Sequence, residues 1–340
     1  MFEYLFSSSS GIAIDLGTRN IRISNQKQIL CKQLSVVARS NGQNSELIMG
    51  EIAEDLFERE PGHYKLISPL GEGVISDFDH CKLLLKDAFK ALNLARFKKH
   101  TILISSPLDI TTVEYNAFIE VAHSLGYGEA AHIHEPVAAA VGLIPNFIKE
   151  KGVILVDVGA GITEAVIFSL GGIVANTSLR IGGVDFEKQM ISFIKKSFDF
   201  EIGRKTALRL LDIVAQEHPD SYMQPIVIHG TDLIRRLPST LSVELPQIET
   251  CLDKLFNRII ESVLNVLEKS SPDLSSYHVD NGIYLTGGAS QFKRLLRMLE
   301  KRTGLMANPD SQPLLGVARG EIALLQDAKL KCSIVNLYKK

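Results

Sequence analysis

Gly11-Ile-Ala-Ile-Asp15-Leu-Gly17-Thr18 is an apolar run ending in Asp-x-Gly, and Ile21-Arg-Ile-Ser24 follows it after a short turn. The first run reads as a buried strand, and the second alternates like a strand. The same arrangement returns in Val153-Ile-Leu-Val-Asp157-Val-Gly159-Ala-Gly161, followed by Ile162-Thr-Glu-Ala-Val-Ile-Phe-Ser169. One hairpin repeated once at long range is a duplication, not a solenoid period. Two halves that each open with this hairpin predict two similar α/β domains facing one another.

The chain has 340 residues, which suits about two domains at ~150 residues each. With 37 Lys+Arg against 39 Asp+Glu, the net charge of −2 argues against a dedicated nucleic-acid binder. Hydrophobic residues at 45% and charged residues at 22% argue against disorder. Cys31, Cys81, Cys251 and Cys332 make no CxxC spacing and fit a reducing cytoplasm. The longest apolar run, Ala165 to Ala175, is about half of the ~20 residues of a spanning helix. No basic residue precedes Arg19, so the start lacks a signal-peptide n-region. The expectation is a cytoplasmic protein with at most a peripheral membrane contact.

Between the hairpins the reading is mixed. Residues 30–70 suggest short strands and a small helix ending in Glu60-Pro-Gly62. Helices are expected at Cys81 to Leu92, at Thr112 to Leu125, near 185–198, 204–217 and 247–269, from Gln291 to Arg302, and near 315–327. Strands are expected at Thr101 to Ser105, Ala131 to His134 and Gly282 to Thr286. Pro136 suits a helix first turn, where its missing N–H is harmless.

A tight turn containing glycine presents backbone N–H groups with no Cβ in the way, which suits phosphate. Asp15-Leu-Gly17-Thr18 supplies one such turn and Asp157-Val-Gly-Ala-Gly161 a second, so the pair would grip a polyphosphate from both sides. The two aspartates offer only acceptor oxygens, which suits Mg²⁺ held through its waters. Either Asp-x-Gly alone is an ordinary strand-to-turn junction; the duplication in matching context gives the pair its meaning. Leu285-Thr286-Gly287-Gly288-Ala289 is a third glycine site, where a flat base would lie against the backbone. His132 and His134 share a strand face, but no second ligand pair accompanies them, so they read as ordinary histidines, not a zinc site.

These motifs, in this order, resemble the actin and sugar-kinase superfamily, and within it the bacterial actin MreB family. Glu135-Pro-Val-Ala-Ala-Ala-Val-Gly142, Thr163-Glu164, Gly73-Val-Ile-Ser-Asp-Phe78, Arg180-Ile-Gly182-Gly183 and Pro313-Leu-x-x-Val-Ala-Arg-Gly320 carry the likeness over essentially the whole chain. The resemblance implies a duplicated actin-like (ribonuclease H-like) fold of four subdomains around an ATP cleft. The segments would be 1–30, 74–145 and 319–340 for IA, 31–73 for IB, 146–180 and 247–318 for IIA, and 181–246 for IIB. Asp15 and Asp157 would hold Mg²⁺. Gly17, Thr18, Arg19, Asn20, Gly159, Ala160, Gly161, Gly182, Gly183, Thr286, Gly287, Gly288 and Ala289 would line ATP or ADP. Glu135 would position the attacking water, assisted by Thr163. The resemblance also implies homopolymer filaments, contact with the inner face of the cell membrane, and cell-wall elongation proteins as partners. Phe2, Leu5, Phe6, Leu94 and Phe97 are the residues expected at the membrane.

The chain also departs from the family pattern. Arg19 replaces a small residue, Ala160 the central glycine of a Gly-Gly-Gly, and Ile162 a threonine. In the helix Thr206 to Glu217, Leu208, Leu211 and Ile213 fall where the family has charged residues that reach ribose and adenine. Unpartnered buried hydroxyls cost roughly 1–3 kcal/mol each, so nucleoside recognition is expected to be weakened, with Arg209 or Glu217 as possible substitutes. The leading function is a slowly hydrolysing cytoskeletal ATPase organising cell shape and wall growth. A non-hydrolysing structural paralogue and a DnaK-like chaperone ATPase are the alternatives.

Overall fold

A computed structural model describes residues 11–41, 46–60, 62–94, 101–126, 130–217 and 224–338. The first half opens with the meander β1 (Ile12–Leu16), β2 (Asn20–Asn25) and β3 (Ile29–Leu34). A small sheet follows, with β4 (Val37–Ser40), β5 (Leu47–Met49), α1 (Gly50–Arg59) and β6 (Tyr64–Ile67), then the short hairpin β7 (Leu70–Gly71) and β8 (Val74–Ile75). The half closes with α2 (Phe78–Ala91), β9 (Ile102–Ser106), α3 (Thr112–His123), β10 (Ala130–His134) and α4 (Glu135–Leu143).

The second half repeats the plan with β11 (Val153–Val158), β12 (Thr163–Ser169), β13 (Gly172–Leu179) and α5 (Gly183–Phe198). Its insertion is β14 (Phe200–Glu201), α6 (Arg204–Gln216), β15 (Ile226–Asp232) and β16 (Leu237–Val243). Then come α7 (Leu245–Ile248), α8 (Asp253–Glu268), α9 (Ser275–Asn281), β17 (Ile283–Thr286), α10 (Lys293–Thr303), β18 (Ala307–Pro309), α11 (Gly316–Gln326) and α12 (Ala328–Leu337).

The strand orders are β10-β9-β1-β2-β3 and β13-β12-β11-β17-β18. In each sheet an antiparallel meander joins two parallel strands, β9 and β10 beside β1, β17 and β18 beside β11. The duplicated hairpin is therefore a duplicated sheet. β1, β9 and β11 are buried along their whole length, as expected of strands covered on both faces. The same covering buries the middle of β2, although its sequence alternates.

α4 and α11 lie between the sheets. One core gathers Ala13 and Leu103 from the first sheet, Leu155 and Phe168 from the second, Val137 to Ala140 of α4, and Leu324 and Leu325 of α11. The two helices touch backbone to backbone. A Cβ on Gly320 would stand 1.6 Å from the Ala138 carbonyl oxygen, and one on Gly142 2.5 Å from the Gly320 nitrogen. Nothing larger than glycine fits at either place.

Several expectations change here. The helix read near 247–269 is two elements, α7 and α8, and α10 starts at Lys293 because 288–291 form a 3₁₀ turn. The divisions drawn at 30/31, 246/247 and 318/319 fall inside β3, α7 and α11. The hairpin β15–β16 and the helix α12 escaped the sequence reading. Among the described residues no helix is long and apolar enough to cross a membrane.

Gly320→Ala is expected to lower unfolding stability by roughly 3 kcal/mol, because the helices must part to admit the methyl group. Gly203→Ala, where a Cβ meets nothing within 4 Å, should change it by less than ~0.5 kcal/mol. Urea unfolding followed by circular dichroism compares them; equal midpoints would mean the crossing has slack.

Candidate functional site

The ends of β1 and β11 point into one cleft of about 790 Å³ between the halves. The turn after β1 is closed by Gly17 N–H donating to Asn20 O at 3.1 Å, and by Ser35 Oγ donating to Gly17 O at 2.7 Å. The turn after β11 is closed by Gly159 N–H donating to Ile162 O at 2.9 Å. The two turns meet: a Cβ on Gly161 would stand 2.5 Å from Thr18 Oγ1. Thr18 Oγ1 also accepts from Gly73 N–H at 3.0 Å. The third turn closes down on β11. Gly287 has φ +84°, and a Cβ there would stand 2.3 Å from Asp157 Oδ1. Asp15, Gly17, Thr18, Arg19, Asn20, Asp157, Gly159, Ala160, Gly161, Gly183, Thr286, Gly287, Gly288, Ala289 and Glu135 all line the cleft.

The electrostatics of its floor are unbalanced. Burial, then Asp15, push the Asp157 carboxyl up to about 7, against the pull of Arg22. Glu164, beside it across β11–β12, is pushed up to about 8 by burial first, although it accepts from Leu108 N–H and Ser178 Oγ. Glu135 is held well above the usual carboxylate range by burial and then by Asp15, Glu164, Asp157 and Glu321. Glu321 of α11 is fully buried and raised by burial and then by Asp15, with the Ser105 hydroxyl and Arg22 pulling the other way. Arg22 offsets this charge, its Nη1 donating to Asp15 Oδ2 at 2.8 Å. β1–β2 register sets that pair opposite one another.

Such an excess of buried carboxylate fits a bound cation. Among the described residues, however, no three His, Cys, Asp or Glu side chains converge to coordinate a metal directly. Asp15 and Asp157 therefore suit a hydrated divalent ion, held through water.

Three expected residues give their hydrogen-bonding groups to other partners. Thr163 is buried, its hydroxyl donating to Ile181 O at 2.8 Å, and it does not line the cleft. It ties β12 to the entry of α5. Gly182 stands behind Ala160, where a Cβ would lie 2.6 Å from backbone, and its N–H donates to Asp185. Gly183 N–H is likewise taken by Gly159 O. These glycines shape the turn and leave their amides no phosphate to bind.

Leu94 is 7% exposed and packs in the core of the first half, which removes it from the membrane-facing set. Phe2, Leu5, Phe6 and Phe97 lie outside the described residues. His132 Nε2 is 2.7 Å from Ser106 Oγ and His134 Nδ1 is 3.3 Å from Pro107 O, as ordinary structural histidines.

At the far end Leu208 and Leu211 line the wall as the sequence implies, while Ile213 packs inward. Of the two expected substitutes, Arg209 lines the cleft and Glu217 does not. Glu217 takes both Nη atoms of Arg297, and Arg209 Nη2 donates to Val227 O. The cleft is also faced by Glu187, Asp212, Gln216, Gln291 and Lys293, which the sequence reading passed over. Helical spacing was the available signal, since 208, 212 and 215 share one face of α6. Arg22 was missed too, because a charged residue in an alternating strand reads as solvated.

A family model described as MreB/Mbl protein matches residues 9–332. The chain is 32% identical over 318 residues to the cell shape-determining protein Mbl of Bacillus subtilis, covering 93% of this chain and 96% of that one. It is 32% identical over 326 residues to the cell shape-determining protein MreB of Escherichia coli, covering 94% and 93%. Among solved structures it is similar to MreB 5 of Spiroplasma citri bound to AMPPNP, at a TM-score of 0.88 and 25% identity, covering 97% and 99%. The MamK double helical filament shares the fold at a TM-score of 0.76 and 18% identity, covering 94% of this chain and 99% of that one. The chain belongs to the MreB/Mbl family and has its actin-like duplicated fold.

Asp157 and Glu164 hold their protons more tightly folded than unfolded, where carboxyls titrate near ~4. Folding thus binds protons, and stability falls as pH rises through about 7 and about 8. His132, pushed down to about 3 by burial and then by His134, acts in the opposite sense, but only below ~6.5. Without ligand, the melting temperature should therefore drop between pH 6.5 and 8.0, and the Asp157→Asn, Glu164→Gln double variant should flatten that drop. An equal slope in both proteins would refute the charge imbalance.

Proposed function

We propose that this MreB/Mbl family member is a cytoskeletal ATPase: it binds ATP with Mg²⁺, hydrolyses it slowly, and assembles into filaments that organise cell shape and wall growth. The observation that carries the reading is the cleft itself, with two facing Asp-Gly turns and buried carboxylates short of positive charge. The relatives' names as cell shape-determining proteins support the cellular role. The likeness to a structure bound to AMPPNP supports the nucleotide.

Within that reading the residues divide the work. The turns at Gly17–Thr18 and Gly159–Gly161 hold the phosphates with the N–H groups of Thr18, Ala160 and Gly161, since those of Gly17 and Gly159 close the turns themselves. Asp15 and Asp157 hold Mg²⁺ through water; the bound ion supplies charge neutralisation along the phosphates. Glu135, at the first turn of α4, orients the attacking water and takes its proton. A raised affinity for protons suits a base, provided that added positive charge restores the ionised form. Thr163 drops out of this scheme, its hydroxyl being held by Ile181. At the nucleoside end Asp212 is the acidic acceptor on the wall for ribose hydroxyls, in place of the charged residues lost at Leu208 and Leu211.

Calorimetry with Mg-ATP should give heat for the wild type and none for Asp157→Ala. Glu135→Ala should still bind but turn over about 10²-fold more slowly. A silent wild type at millimolar nucleotide would leave only a structural paralogue, and unchanged turnover in Glu135→Ala would remove that residue from the chemistry.

Assembly and membrane contact are measured separately. With nucleotide the protein should pellet on ultracentrifugation and float with vesicles, and deleting residues 1–6 together with Phe97→Ser should abolish flotation while leaving pelleting intact. Apolar burial multiplied along a filament is the driving term. Persistent monomers by scattering would favour the chaperone-like class; filaments that never float would confine the protein to the cytoplasm.

A further inference from the structure

The mouth of the cleft is crossed by charge. α1 of the first half offers Glu54, Asp55 and Glu58, and the first turn of α6 in the second half offers Arg204 and Lys205. Arg204 Nη1 donates to Glu54 Oε1 at 2.7 Å, and Arg204 Nε stands 2.8 Å from Glu187 Oε1 of α5. Lys205 Nζ donates to Asp55 Oδ1 at 3.0 Å and also contacts Glu58. Exposed pairs contribute little singly. Here, however, the Glu54 and Glu187 side chains are only 13% and 12% exposed, and both contact the same arginine.

Arg19 is a second cation on those same two carboxylates, from the turn after β1. Its nitrogens are 3.5 Å from Glu54 and 3.9 Å from Glu187. Those distances are ion-pair contacts, longer than hydrogen bonds. Arg19 is thus the most loosely held member of the group, and it lines the cleft where Glu54 does not. A multiply charged anion in the cleft attracts it more strongly than two distant carboxylates do. Once Arg19 leaves, Glu54 and Glu187 share Arg204 alone, and their mutual repulsion acts across the mouth.

We propose that α1 and α6 form an ionic strap across the cleft mouth, and that Arg19 is its release handle: a polyphosphate in the cleft draws Arg19 off Glu54 and Glu187 and loosens the strap. The Arg19 step rests on the nucleotide reading of the cleft; the strap does not. A ligand's charge is thereby passed to the edges of the two halves, with a triphosphate acting more strongly than a diphosphate.

Hydrogen exchange on the full chain tests both parts. Without nucleotide, Glu54→Gln with Asp55→Asn and Glu58→Gln should speed amide exchange in α1 and the first turn of α6 about tenfold. Glu51→Gln, on α1 but outside the strap, should not. Raising salt from 50 to 500 mM, values chosen to shorten the Debye length to a few ångströms, should loosen the wild type toward the triple variant. Unchanged exchange in the triple variant overturns the strap. Mg-AMPPNP should speed the same amides in the wild type but not in Arg19→Gln, whose binding by calorimetry should weaken several-fold without vanishing. A normal response in Arg19→Gln, or none in a wild type that binds, overturns the handle. A wild type with no binding heat fails the nucleotide reading and the handle together, while the strap is still judged by the nucleotide-free comparison.

Discussion

Backbone contact between α4 and α11 is the constraint on which the rest of the molecule depends. Both helices are trapped between two five-stranded sheets, and they fit only because Gly142 and Gly320 carry no Cβ. Their approach brings the sheets near enough for the turns after β1 and β11 to touch through Thr18 and Gly161. It also sets Glu135, the first residue of α4, and Glu321 of α11 over the same floor of carboxylates. Close packing has little slack for added volume, so the geometry of the site is inherited from the crossing.

That floor is held together against its own electrostatics. Burial and neighbouring carboxylates raise the proton affinity of Glu135, Asp157, Glu164 and Glu321, and Arg22, paired with Asp15, pulls against Asp157 and Glu321. A folded chain that tolerates such an imbalance stores an attraction for positive charge, and hydrophobic packing around it supplies the stability it lacks. The mouth of the cleft is the opposite case. There arginine and lysine meet glutamate and aspartate in partial solvent, where screening leaves each contact weak and easily exchanged. Deep charge imbalance favours a ligand, and shallow charge pairing makes the entrance adjustable.

Departures from the family pattern gather at the two ends of the cleft. Arg19 stands at the phosphate turn and joins the entrance charges, while Leu208 and Leu211 leave the nucleoside wall apolar. Asp212 and Gln216 lie one helical step away on the same wall. On the proposed nucleotide reading, recognition there falls to neighbours of the altered positions.

The sequence by itself determined the duplicated sheet, the two Asp-x-Gly turns and many of the residues that line the cleft around them. Strand periodicity, strand-end aspartates and obligatory glycines are local properties, readable without knowing what lies opposite. What a side chain spends its hydrogen bonds on is not local. Thr163 carries the right hydroxyl but gives it to Ile181, and the Gly182 amide goes to Asp185. Leu94 looks like a membrane contact until α2 and the first sheet enclose it. Arg22 looks solvated until cross-strand register sets it on Asp15, and Glu321 looks like a surface helix residue until α11 is buried between the sheets. The tertiary structure decided these because partner and solvent exposure depend on segments far apart in the chain, and only packing brings those segments together.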